Sequence, residues 1–151
     1  MTPFEEIQRF KIGIEIGLYS LNDLSSYLDE EMLKSSNIPY IYIDVSLAIS
    51  HGIKPVLNCI FQNFSDERYI EAEEPDCLVE RYIIGDICKN YRCGQITLKQ
   101  TCELLYKLSL YFEPYSSMNA IYDYYELAQD GISYSNEQIE YMVEGILRRG
   151  L

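Results

Sequence analysis

The sequence predicts an all-α protein of about eight helices in antiparallel hairpins, stacked, bundled or repeat-like. Three observations support this. Helix-start signals (a hydroxyl residue followed three positions later by an acid or amide) recur along the chain. Apolar residues between them keep the spacing i, i+3, i+4, i+7 that lines one side of a helix. Several glycines stand between the end of one such stripe and the start of the next, where a left-handed residue closes a helix.

Thr2-Pro3-Phe4-Glu5 supplies a cap, a proline at the first helical position and a glutamate at the third. Phe4, Ile7 and Ile14 then share a face with Phe10 beside them, and Gly17 closes the helix. Ser20 caps the second helix, Asp23 lies in its first turn, and Leu21, Leu24, Leu28 and Met32 form its stripe. Pro39 opens a third segment. The alternation Tyr40-Ile41-Tyr42-Ile43 also fits a strand, so residues 38–50 have two readings; the spacing of Ile41, Val45, Ala48 and Ile49 favours a helix. Gly52 and Pro55 mark a break and restart before Val56, Ile60 and Phe64.

Residues 65–76 are polar and without period, which predicts a long acidic loop. Beyond it, Ile84, Ile87, Cys88 and Tyr91 form a helical stripe ended by Gly94. Thr97 caps the next helix, with Leu98, Cys102, Leu105 and Phe112 inward and Pro114 as its stop. A further helix from about Ser116 carries Ala120, Ile121, Tyr124 and Ala128. Ser135 and Gln138 form a capping box for the last, with Ile139, Met142, Val143, Ile146 and Leu147 inward and Arg148 and Arg149 in its final turn. The link Gly17-Leu-Tyr-Ser20-Leu21 resembles Gly94-Gln-Ile-Thr97-Leu98, and Gly131 to Ser135 is a looser copy. Links this short make neighbouring helices antiparallel. The length of 151 residues suggests a single helical domain, 1–151.

The formal net charge is −12, from 24 acids and 12 bases. Such a chain repels phosphates, which argues against nucleic acid and anionic membrane and makes a basic protein the natural complement. The longest apolar run, Ile38 to Ile43, is too short to span a bilayer, and MTPFEEIQRFKIG lacks the apolar region of a signal peptide; a cytoplasmic location is expected. Cys59, Cys77, Cys88, Cys93 and Cys102 are odd in number and form no CxxC pair, so buried thiols are expected in place of a zinc or redox site. His51 is the sole histidine and sits beside Gly52 at a helix end, a structural position. HExxH, a calcium loop and a glycine-rich phosphate loop are all absent from the sequence. The expectation is a protein without catalytic activity, cofactor or metal.

Two features suggest partner binding. The first is the acidic run Asp66, Glu67, Glu71, Glu73, Glu74, Asp76 and Glu80, offset only by Arg68, which could steer a basic partner or simply be a solvated loop. The second is the 15 tyrosines against 5 phenylalanines and no tryptophan. Tyr111, Tyr115, Tyr122, Tyr124 and Tyr125 cluster with Glu113, Asp123 and Glu126. Tyrosine beside carboxylate can hold Lys or Arg by cation–π contact and ion pairing together, or the rings can simply line helix interfaces. From this cluster the candidate contact residues are Tyr115, Tyr122, Asp123, Tyr125 and Glu126.

The stretch IGLYSLNDLSSYLDEEMLKSSNIPYIYIDVSLA, Ile16 to Ala48, joins a glycine turn, a serine-started helix, an acidic helix end at Asp29-Glu30-Glu31 and a proline-led helix. GQITLKQTCELLYKL repeats the turn and start. Together they resemble, over about half the chain, the small acidic helical immunity proteins of bacterial contact-dependent and polymorphic toxin systems. The resemblance implies tight binding to a cognate toxin domain, often a basic nuclease. The alternative expectation is a helical-repeat adaptor for another protein or peptide.

Overall fold

The computed structural model describes residues 1–64, 77–112 and 117–150. Among them are eight α-helices and no strand: α1 Pro3–Ile16, α2 Leu21–Lys34, α3 Tyr40–Ile49, α4 Ile53–Phe64, α5 Cys77–Arg92, α6 Leu98–Phe112, α7 Ser117–Gln129 and α8 Asn136–Leu147. The ambiguous segment 38–50 is thus helical from Tyr40 to Ile49, with no strand. Two compact units are distinguished, Met1–Asp76 and Cys77–Leu151.

Three links are built alike. After α1 the Leu18 amide donates to the Gly13 carbonyl (2.7 Å) and the Gly17 amide to that of Ile14 (3.1 Å). After α5 the Gln95 amide donates to Asn90 (2.9 Å) and Gly94 to Tyr91 (3.1 Å); after α7, Ile132 donates to Leu127 (3.0 Å) and Gly131 to Ala128 (3.2 Å). The pairs consume carbonyls that the helix end leaves open, and they require left-handed backbone, met by φ of 87° at Gly17, 72° at Gly94 and 69° at Gly131. Three or four residues later a hydroxyl cap starts the next helix. Ser20 with Asp23, Thr97 with Gln100 and Ser135 with Gln138 form reciprocal boxes, as Thr2 with Glu5 does at α1. The looser third copy in the sequence is therefore the same device.

In the first unit the core joins Ile7, Phe10 and Ile14 of α1, Leu24 and Leu28 of α2, Ile41, Tyr42 and Val45 of α3, and Val56 and Ile60 of α4. Beside it the Arg9 guanidinium lies 4.6, 5.4 and 5.9 Å from the ring centres of Phe10, Tyr19 and Tyr27. It also donates to the Glu6 carboxylate (2.9 Å) and the Tyr19 hydroxyl (3.1 Å). The Tyr27 and Tyr42 hydroxyls share a hydrogen bond of 3.1 Å. A cation taken this far from water is tolerable only with an opposite charge and further partners, which Glu6, Tyr19 and the rings supply.

In the second unit α5 packs on α6 and α8, α6 on α7, and α7 on α8. Val79, Ile83, Ile84 and Ile87 of α5, Cys102, Leu105 and Leu108 of α6, Met118 and Ile121 of α7, and Ile139, Val143 and Leu147 of α8 are buried. Arg148–Gly150 form a 3-10 turn where the sequence reading placed the last turn of α8. It lies against α5 so closely that a Cβ on Gly150 would come within 2.5 Å of the Gly85 nitrogen.

Two helical glycines give a test. A Cβ on Gly13 would fall inside the ring of Tyr19, itself packed on Phe10 and Arg9, whereas a Cβ on Gly145 of α8 meets nothing within 4 Å. Gly13→Ala is expected to lower stability by about 1–3 kcal/mol through overpacking. Gly145→Ala is expected to raise it by roughly 0.5–1 kcal/mol through helix propensity. The urea midpoints should move in opposite directions.

Candidate functional site

Helices α6 and α7 run antiparallel, so residues equally distant from their junction face each other. The Asn119 amide donates to the Ser109 hydroxyl (3.0 Å), which fixes the register. One step further out Tyr106 faces Tyr122, with ring centres 6.4 Å apart and planes at 29°. Tyr125, one turn along α7, continues the stack at 6.5 Å and 16°. Glu103 lies one turn from Tyr106, and Glu126 one turn from Tyr122, since residues three and four apart are neighbours on a helix. Tyr106, Asp123 and Glu126 are exposed; Glu103, Tyr122 and Tyr125 are half-buried. The result is a face of three near-parallel rings beside carboxylates.

The charges converge on one atom. Hydrogen bonding with Glu126, then burial, then the charges of Glu126 and Glu103, push the Tyr122 phenol up to about 12. A negative oxygen at that position would meet two carboxylates, so the neutral phenol is favoured. Among the described residues no lysine or arginine forms an ion pair with Glu103, Asp123 or Glu126; the described pairs are Arg9–Glu6, Lys11–Glu15, Lys34–Glu31 and Arg92–Glu144.

The sequence-derived contact set is only partly assembled here. Tyr122, Tyr125 and Glu126 share the α6–α7 face, and Asp123 is exposed beside them on α7. Tyr124 points elsewhere, 5.0 Å from the Tyr134 ring. Tyr115 and Glu113, and Asp66, Glu67, Glu71, Glu73, Glu74 and Asp76 of the acidic run, lie outside the described residues. Glu80 departs from the expectation: it occupies the first turn of α5 and is 9% exposed, so it adds little to a surface charge. Its spacing from Ile83 and Ile84 turns it inward, and the helix start favours a carboxylate there. Glu103 and Tyr106, which sequence reasoning missed, become visible only when α6 and α7 are folded onto each other and positions are counted outward from Pro114.

Other chemistry is sparse. A cleft of about 250 Å3 between α7 and α8 is lined by Ser117, Ile121, Tyr124, Met142, Gly145, Ile146 and Arg149, a set without carboxylate, histidine or thiol. It is smaller than the usual ligand pocket of roughly 300–1,000 Å3. Among the described residues no cluster of His, Cys, Asp and Glu is placed to hold a metal ion, and no helix is long and apolar enough to cross a membrane. His51 is exposed in the turn after α3, its amide donating to the Ala48 carbonyl (3.0 Å). Cys88 and Cys102 are buried, Cys59 is half-buried, and Cys93 departs from the expected pattern by being exposed in the turn after α5. Burial, then the charge of Glu103, pushes the Cys102 thiol up to about 12, which disfavours the nucleophilic thiolate.

One further surface is notable. Tyr40, Ile43 and Leu47 share a face of α3 at 72%, 40% and 69% exposure, so this helix carries apolar residues on its outer side as well as in the core. No protein-family model, curated protein or solved structure matches the chain.

The raised Tyr122 pKa has a measurable consequence. Its neutral form is favoured by folding, so its contribution to stability is complete below the ordinary phenol value of 10.0 and is lost as pH rises through about 12. Absorbance titration of the tyrosines should show a component near pH 12 that disappears in Tyr122→Phe and moves toward 10.0 in Glu126→Gln. An unchanged curve in both variants would show that these groups do not interact.

Proposed function

We propose that this chain is a non-catalytic protein-binding protein whose α6–α7 face takes a basic protein, and that it serves as an immunity protein neutralising a bacterial toxin domain of nuclease type by tight binding. The observation that carries the reading is the face itself: Glu103, Asp123 and Glu126 beside the Tyr106–Tyr122–Tyr125 stack, with no ion pair to a described cation. Exposed like charge on one surface repels itself and lends the free protein no stability. It does raise the encounter rate with a cationic surface. Tyrosine adds rigid contact area with a polar tip, the composition of binding hot spots. The net charge of −12 and the acidic run 66–76 supply the longer-range field. The resemblance of Ile16–Ala48 and Gly94–Leu108 to immunity proteins supports the choice of partner.

The helical adaptor reading is favoured by a different observation, the exposed Tyr40–Ile43–Leu47 stripe of α3, which suits an apolar helix or peptide. The two readings separate by mutation. Under the first, Asp123→Lys with Glu126→Lys disrupts binding and Leu47→Asp does not; under the second the pattern reverses.

The test is co-expression with the C-terminal domain encoded by the neighbouring gene, read as co-purification and rescue of growth. Association should slow by on the order of tenfold when Asp123 and Glu126 are reversed to lysine, and should weaken with salt, because exposed charges are screened beyond about 8–10 Å at physiological ionic strength. An association rate indifferent to salt and to the reversals would contradict the electrostatic account.

A further inference from the structure

We propose that the α6–α7 face is specific for arginine: a partner's guanidinium stacks on the Tyr106–Tyr122–Tyr125 platform and pairs with Glu126 and Glu103. The inference rests on reading this face as a surface for a cationic protein and names the side chain that it takes. The rings of Tyr106, Tyr122 and Tyr125 share nearly one orientation, with departures of 29° and 16° between neighbours, and a planar delocalised cation can lie parallel to a ring of that orientation. An ammonium is a compact, strongly hydrated point charge that gains less from a flat ring and loses more water on approach. Two carboxylates, Glu103 of α6 and Glu126 of α7, lie near the Tyr122 hydroxyl, so acceptors from both helices stand beside the rings. Arginine carries five donors in a planar fork and can meet more than one carboxylate while its plane stays on the ring.

The same chain shows this chemistry completed once. In the first unit the Arg9 guanidinium pairs with Glu6, donates to a tyrosine hydroxyl and lies 4.6–5.9 Å from three aromatic ring centres. The α6–α7 face assembles the same kinds of group, glutamate with three tyrosines, and forms no ion pair with a described lysine or arginine. Tyr106, Asp123 and Glu126 are exposed, so the cation can arrive from another molecule.

The test uses the full chain and two synthetic peptides of equal length and charge, one alternating glycine with arginine and the other glycine with lysine. Binding is followed by aromatic-ring NMR shifts and by calorimetry at low salt. The arginine peptide should bind roughly two- to fivefold tighter, the ratio expected from stacking at an exposed site, and should shift the rings of Tyr106, Tyr122 and Tyr125. Tyr125→Leu, which keeps apolar bulk for folding, should abolish the preference; Tyr125→Phe should retain it. Glu126→Gln should weaken both peptides. Equal affinities, shifts confined to other residues, or a preference that survives Tyr125→Leu would overturn the proposal. A partner toxin that binds while the peptides are not distinguished would sink this inference and leave the immunity reading standing. A selective arginine response without any toxin binding would do the reverse.

Discussion

Gly17, Gly94 and Gly131 each end a helix in left-handed backbone, and within four residues a serine or threonine side chain starts the next. This device fixes much of the rest. A link of four to six residues gives the chain little route except back along the helix it has just left. At each of these links two of the open carbonyls and two amides are satisfied locally, and the apolar stripes of the paired helices are left to meet each other. The glycine is required for its backbone and the hydroxyl for its oxygen, so neither role depends on what the helices later bury.

The local nature of that device explains what the sequence could disclose. Caps, stops and stripes are written within four residues of each other, and the boundaries at Thr2, Ser20, Thr97 and Ser135 were legible for that reason. Residues 38–50 were ambiguous because α3 carries apolar and β-branched residues on both sides, Tyr40, Ile43 and Leu47 outward and Ile41, Tyr42 and Val45 inward. That pattern weakens both the helical period and the strand alternation. Glu80 was misplaced because composition cannot tell the last acid of a polar run from the first inward residue of a helix. Tyr122, Asp123, Tyr125 and Glu126 of α7 were all named from sequence because they lie close together in the chain; Glu103 and Tyr106 were not, since they come from a helix that is near only after folding.

Arg9 and the α6–α7 face bring the same kinds of group together in two settings. Around Arg9, rings and a carboxylate hold a cation of the same unit, and the ensemble helps to tie α1 to the link that follows it. On α6 and α7 the rings and carboxylates are turned outward. A buried charge group must be fully partnered to be tolerated, whereas an exposed one can remain ready for a partner at little cost, since water screens it meanwhile. In the proposed reading, exposure is what separates the structural role of Arg9's surroundings from a recognition role on α6 and α7.

The most direct measurement of this account is hydrogen–deuterium exchange of the chain alone and in complex with the toxin domain from the neighbouring gene. The account requires slowed exchange in the segments around Glu103–Tyr106 and Tyr122–Glu126 on binding. Protection confined to α3, around Tyr40–Leu47, with α6 and α7 unchanged, would contradict it.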